Sequence, residues 1–332
     1  MAEAISKPGD EAQPFGRRSV SLGLYAQGLP AEEMVRHLLE QARTADAAGF
    51  DGVTVSEHHA AFPGYFPDPV QAASWLLSAV ERAWGAACPV LLPLRPPALV
   101  VENVAWLAAR YPGRVGVGFA PGYIQEDFDA VGASFEDRHR RYWDGLAVAT
   151  RALKMGQAEE PLSRDLAIAA CKARPVPVVI AGAGPYAARW AARASTGLIL
   201  DPAQPREKLR MVVEEYARRG GRGPIVAIRL AWLGPPPPGA LEAFAERYAR
   251  APGASDEFLR AAPDAFIVTS GDPGELARKL ADAVVDAGAS ALSVRVNLPH
   301  ATASQTLDQI ERLGSEVLPR IREHLAGRLQ QP

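Results

Sequence analysis

From Ser19 onward the chain alternates short apolar runs with longer stretches of helical period, and few folds accommodate that pattern. Ser19 to Tyr25 (Ser-Val-Ser-Leu-Gly-Leu-Tyr) has strand character, and Pro30 opens a helix carrying Met34, Leu38, Ala42 and Ala45 on one face. Gly49 stops that helix, because a residue without Cβ takes the left-handed conformation at little cost. The chain then returns through Gly52-Val53-Thr54-Val55-Ser56, a buried-strand pattern. The same unit recurs. A helix from about Pro69 to Trp84 leads to a strand through Pro89-Val90-Leu91-Leu92, and a helix from Ala98 to Arg110 leads to a strand at Arg114 to Gly118. A long helix is predicted between Phe135 and Met155, followed by strands at Pro177 to Ala181, Gly197 to Leu200 and Pro224 to Leu233. Helices fall between these strands, at Pro185 to Ala194 and Arg206 to Arg219. Asp272-Pro273-Gly274-Glu275 has the form of a capping box, its helix ends at Gly288, and Ala291 to Val296 is the last strand. Leu307, Ile310, Leu313, Val317 and Ile321 mark a closing helix. About eight strands, each followed by a helix, suffice to close a (β/α)8 TIM barrel, which is the predicted fold. An open doubly wound sheet has the same periodicity.

The predicted domain runs over residues 19–326 as a single barrel, with a loose tail at 1–18 and a short one at 327–332. Gly156 to Pro175 and the run Pro235-Pro236-Pro237-Pro238 fall between units and are assigned to loops. Lys+Arg 36 nearly balance Asp+Glu 38, without the basic stripe of a nucleic-acid binder. No run approaches the ~20 apolar residues of a membrane span, and no secretory signal opens the chain. Two cysteines, Cys88 and Cys171, give no disulfide framework. These features lead to the expectation of a cytoplasmic enzyme acting on a small molecule.

Active sites of parallel barrels form where strands end and βα loops begin. The second strand ends in Ser56-Glu57-His58-His59, followed by a loop carrying Phe62, Tyr65 and Phe66. Histidine titrates near neutral pH, so His58 or His59 beside Glu57 suits acid–base chemistry, or either ring is simply packed. No metal site is predicted, since a third ligand at a recognisable spacing is missing. Cys88-Pro89 permits a cis peptide, and Cys88 itself is expected as a small buried residue. The fourth strand runs into Gly116-Val117-Gly118-Phe119-Ala120-Pro121-Gly122-Tyr123, whose glycines allow a flat ligand to approach the backbone. The fifth ends in Ala181-Gly182-Ala183-Gly184-Pro185 at a helix start, where free N–H groups and the positive dipole end favour a phosphate over plain capping.

In order and spacing these segments resemble the bacterial luciferase-like monooxygenases from about Ser19 to Leu318. The resemblance is carried by Ala47-Ala48-Gly49-Phe50-Asp51-Gly52-Val53 leading into Ser56-Glu57-His58-His59, and by Val90-Leu91-Leu92-Pro93-Leu94 with Glu102-Asn103-Val104-Ala105. Pro112-Gly113-Arg114-Val115-Gly116-Val117-Gly118, Gly122 to Asp127-Phe128 and Asp272-Pro273 to Gly288 continue it. Phe62 to Pro69 and Gly118 to Tyr123 look closest to the branch associated with natural-product assembly lines. The resemblance implies a two-component enzyme that takes reduced FMN from a separate NAD(P)H:flavin reductase and, with O2, oxygenates an organic small molecule through a flavin hydroperoxide. His58 matches the family's mechanistic histidine. Glu57, Cys88, Pro89, Ala120, Pro121, Gly122, Gly182, Ala183, Gly184 and Pro185 are the implied cofactor contacts. Pro121 stands where many luciferases carry an arginine. Tyr25, His59, Phe62, Tyr65 and Trp232 are candidates for the substrate side. A homodimer, or a heterodimer with a related subunit, is implied as well. Two other readings are a deazaflavin-dependent oxidoreductase of the same superfamily and a non-catalytic flavin-binding or partner subunit.

Overall fold

The computed structural model describes residues 13–329 apart from 27, 61, 63, 183, 203 and 250–265. Nine parallel strands form one sheet: β1 (Val20–Gly23), β2 (Gly52–Val55), β3 (Trp84–Leu91), β4 (Val115–Ala120), β5 (Val178–Ala181), β6 (Gly197–Leu200), β7 (Ile225–Leu233), β8 (Ile267–Ser270) and β9 (Ala291–Arg295). Eight of them close a ring. β1 pairs β9 from Val20↔Leu292 to Gly23↔Arg295, and β6 pairs β7 from Leu198↔Ile225 to Leu200↔Ala227. The closed (β/α)8 barrel predicted from the periodicity is thus the fold, and the open sheet is excluded. β8 was not foreseen; it pairs with the far end of β7, from Leu230↔Ile267 to Leu233↔Ser270.

Helices cover the outside, among them α1 (Ala31–Ala47), α2 (Pro69–Ala79), α3 (Pro97–Arg110), α4 (Gln125–Val131), α5 (Arg138–Met155), α6 (Leu166–Ala170), α7 (Pro185–Arg193), α8 (Arg206–Arg218) and α9 (Ala240–Ala249). After them come α10 (Pro273–Asp286), α11 (Ala303–Arg312) and α12 (Leu318–Arg328). Asp272 caps α10 as its sequence promised, accepting from Glu275 N at 2.6 Å. Alternation along the strands divides the core in two. Leu22, Val53, Val117 and Leu292 face the helices, whereas Trp84, Val179, Ile199, Val226 and Ile228 fill the barrel.

Three boundaries differ from expectation. The helix predicted to reach Trp84 ends at Ala79, and Trp84 begins β3 four residues before Cys88. The cause is distant in sequence: the Asp46 carboxylate of α1 accepts from Glu81 N at 2.8 Å, Arg82 N at 3.2 Å and Ala83 N at 2.7 Å, holding these N–H groups out of a helix. Cys88–Pro89 therefore sits inside β3, where the register with β4 shifts between Ala87 and Val90, and its peptide is cis. Second, residues 13–18 are no loose tail. Phe15 is buried against Trp84 with ring centroids 5.1 Å apart, sealing the barrel floor. The remainder of that expected tail, 1–12, lies outside the described residues. Third, α6 occupies part of the stretch taken as a loop after Gly156, and α12 continues two residues past the predicted boundary at 326.

Candidate active site

His58 leaves the end of β2 with its ring buried, and its Nδ1 lies 2.7 Å from Asp127 Oδ2 on α4. A carboxylate only accepts, so Nδ1 carries the hydrogen and Nε2 is left for chemistry. Asp127 Oδ1 accepts from His59 N at 2.7 Å, so one buried carboxylate fixes both the ring and the backbone that bears it. Aromatic side chains surround the His58 ring: Phe62 is stacked at 4.4 Å, and Tyr65 and Tyr123 are edge-on at 4.5 and 5.8 Å. Tyr25 extends the cluster, 4.9 Å from Tyr65, and its hydroxyl is 3.1 Å from Ser56 Oγ, which donates to Cys88 O at 2.9 Å.

Glu57 and His59, expected to touch cofactor and substrate, face elsewhere. The Glu57 side chain is fully buried: Oε2 accepts from Leu91 N at 2.7 Å, and Oε1 meets His59 Nε2 at 2.9 Å and the Arg95 guanidinium. Arg95 also donates to Pro67 O at 2.9 Å and pairs with Asp68 at 3.4 Å, tying both ends of the 57–68 loop to the segment after β3. A buried carboxylate needs such partners, and here His59, Leu91 N and Arg95 supply them. Phe66, grouped with the pocket aromatics in the sequence, instead packs on Trp75 of α2 at 6.4 Å. Trp232 is buried in the barrel interior and gives its indole N–H to Pro235 O at 3.1 Å. Ala183 lies outside the described residues.

At the ends of β4 and β5 the mouth is lined with small residues. Ala120 closes β4, and Gly122 follows at φ +77, where a side chain would be strained and would press into Phe128. Ala181 and Gly182 end the adjacent β5, and Tyr142 ties the two strands by donating to Phe119 O at 3.0 Å and Ala181 O at 3.1 Å. α7 then begins at Gly184 without a side-chain cap, and a Cβ built on Gly184 meets nothing within 4 Å. A planar ring system with a phosphate tail needs a flat apolar bed and a nearby anion site. The ends of β4 and β5 fit the first requirement, and the uncapped start of α7 fits the second. Beneath the mouth an enclosed cavity of about 20 Å³ is lined by Ser21, Thr54, Cys88, Pro89, Ser293 and Arg295, among others. Burial pushes the Cys88 thiol up to about 12, so it stays neutral and is a poor nucleophile.

Asp127, Arg95 and Tyr123 were not among the predicted contacts. Asp127 lies 69 residues from the ring that it orients, and only its place in the quoted Gly122 to Phe128 segment hinted at a role. No helix among the described residues is long and apolar enough to cross a membrane.

A family model described as luciferase-like monooxygenase matches residues 19–313. An F420-dependent glucose-6-phosphate dehydrogenase from Tsukamurella paurometabola is 29% identical over 207 residues, which is 56% of this chain and 60% of the relative. The chain thus spans well under two thirds of the length of that curated relative. Among solved structures, monooxygenase RslO1 from Streptomyces bottropensis superposes with a TM-score of 0.73 at 22% identity, covering 91% of this chain and 99% of that one. The oxygenating constituent of 3,6-diketocamphane monooxygenase from Pseudomonas putida, a type II Baeyer–Villiger enzyme in complex with FMN, gives 0.68 at 16% identity, covering 92% and 99%.

Proposed function

Because the chain belongs to the luciferase-like monooxygenase family, we propose that it is a reduced-FMN-dependent monooxygenase that oxygenates an organic small molecule in the cytoplasm. The observation that carries this reading is the burial of the His58 ring against Phe62 and Tyr65 together with its carboxylate orienter. Oxygen chemistry on a reduced flavin requires a site from which bulk water is excluded, whereas simple hydride transfer asks chiefly for apposition. Reduced FMN, when bound, supplies the two electrons that activate O2.

The chain's own residues supply the rest. Ala120, Gly122, Ala181 and Gly182 bed the ring, and the start of α7 at Gly184 holds the phosphate. Cys88 and Pro89 close the pocket from below as a neutral, apolar wall. His58 Nε2 takes or returns a proton beside the ring, while Asp127 keeps Nδ1 protonated. Tyr25, Phe62 and Tyr65 line the substrate side, and Glu57 with His59 and Arg95 braces the loop. A separate flavin reductase delivers the cofactor, and the working form is a dimer.

A deazaflavin-dependent oxidoreductase is the second reading. It is favoured by the resemblance to the F420-dependent dehydrogenase, since both cofactors present a planar ring and a phosphate. Anaerobic titration with reduced FMN and with reduced F420, then mixing with oxygen, separates the two. Saturable binding of reduced FMN and an oxygen-dependent spectral transient lost in His58→Ala is the expected result. Binding of reduced F420 alone would transfer the assignment to hydride transfer.

A further inference from the structure

The barrel interior is not apolar all round. Ser293 of β9 stands level with Ser21 of β1, and Gly23 of β1 stands level with Arg295 of β9 on one side and Thr54 of β2 on the other. Three neighbouring strands thus bring Ser21, Thr54, Ser293 and Arg295 to the enclosed cavity of about 20 Å³ beside Cys88 and Pro89. Ile199, Val226 and Ile228 from β6 and β7 complete its walls.

Two of the hydroxyls in this wall lack partners. Thr54 and Ser293 are only 6% and 7% exposed, and neither side chain makes a hydrogen bond among the described residues. Ser21 is little better placed, its hydroxyl reaching Leu292 O at 3.4 Å. A buried hydroxyl without a partner is unfavourable, and here the unpaired groups border an open space that could supply one. β1 lies between β2 and β9, so the strands bearing Thr54 and Ser293 are about 10 Å apart. That is too far for a direct bond between such short side chains and suits one bridging molecule. A chamber of roughly 10–15 Å³ suffices for a water, provided that two to four polar groups bind it. We propose that this chamber is a binding site for a single ordered water, bridging the Thr54 and Ser293 hydroxyls with Ser21 and Arg295 beside it. The chamber is the same whichever cofactor the mouth takes. One fixed water does not solvate an ion, so it agrees with the Cys88 thiol in the same wall, pushed up to about 12 by burial.

High-resolution crystal structures of the native protein and of the Thr54→Val, Ser293→Ala double variant supply the test. The native map is expected to show one peak within about 3.2 Å of both Thr54 Oγ1 and Ser293 Oγ. The double variant, stripped of both hydroxyls, is expected to show none. Native crystals soaked in bromide or pressurised with xenon separate the other occupants by anomalous scattering. Bromide in the chamber would mean an anion site, and xenon would mean a dry cavity. Either would overturn the proposal, as would an empty native chamber or a peak that persists in the variant. Thermal melting gives a second reading in solution. With water in place, Thr54→Val removes one of its partners at nearly constant volume, and the Tm falls by about 1–2 °C. In a dry chamber the same change deletes an unpaired hydroxyl, so a Tm that holds or rises would equally overturn the proposal.

Discussion

A single carboxylate orients the histidine proposed to move the proton. Asp127 is buried and spends both oxygens on His58 Nδ1 and His59 N, each at 2.7 Å. Asp127→Asn presents an N–H to one of these donors and leaves the ring free to adopt the other tautomer. Turnover is expected to fall by about 100-fold with reduced FMN affinity little changed, the usual effect of losing a group that orients a histidine. Steady-state kinetics beside an anaerobic titration checks this, and equal losses in both would mean that Asp127 acts on binding instead. Arg95 shows the structural counterpart. It is the cation against the fully buried Glu57 carboxylate, so Arg95→Met strands that charge with only His59 and Leu91 N. Breaking such a pair from one side costs about 3 kcal/mol, to be read from urea unfolding at neutral pH; a change under 1 kcal/mol would show that the pair is solvent-screened. Neither arrangement was legible in the sequence. Ser56-Glu57-His58-His59 marked a candidate place, but the contacts that hold its two histidines come from Asp127 and Arg95, neither of which is adjacent in the chain.

At the scale of elements the sequence was most legible where burial is two-sided. β5, β6 and β7 are covered by helices outside and by barrel side chains inside, so they stand as continuous apolar runs that few other structures produce. The start of β3 failed the same test, because Trp-Gly-Ala-Ala suits a helix end as well as a strand, and the arbiter was Asp46 on α1. β8 is as short as β5 and β6 but was lost because only Ile267 and Val268 are buried, so Thr269 and Ser270 break the apolar run. The start of α7 was legible, and here capping and phosphate binding make opposite predictions. Gly184 has extended backbone angles, φ −144 and ψ 169, that any residue adopts, with open space beside it. Gly184→Asp should therefore cap the helix and stabilise the protein by about 0.3 kcal/mol. If this is the phosphate site, the same carboxylate repels the cofactor and weakens its binding at least about tenfold. Thermal melting and FMN titration on one variant decide the matter; stabilisation with unchanged affinity would mean that the phosphate binds elsewhere.

Across the whole molecule, stability against pH follows from which ionisable groups the barrel buries. Cys88 and Cys171 are raised above the ordinary thiol value of 9.0 by burial, and Tyr142 and Tyr216 above the ordinary phenol value of 10.0 for the same reason. The unfolded chain releases these protons first, so above pH 9 it binds fewer protons than the folded protein, and stability falls as pH rises. At the acid end the Arg328 guanidinium holds Asp282 below its usual range and Arg219 does the same for Glu215, so their contributions are present above about pH 4 and lost below it. Between these limits burial lowers His37 and His139 below the ordinary histidine value, so the unfolded chain takes up their protons first and stability falls as pH drops through the histidine range. Cys88, whose thiol is pushed to about 12 just beneath the mouth, contributes to this alkaline limb from pH 9 upward. Removing it in Cys88→Ala takes one titrating group out of the balance and should flatten the decline between pH 9 and 11 by about 1.4 kcal/mol per pH unit. Urea midpoints at pH 7, 9, 10 and 11 for the native and variant proteins measure that slope. Parallel curves would mean that the thiol ionises in the folded barrel as readily as in the unfolded chain. The wall beneath the mouth would then be wet, which the oxygen chemistry assigned to this site could not tolerate.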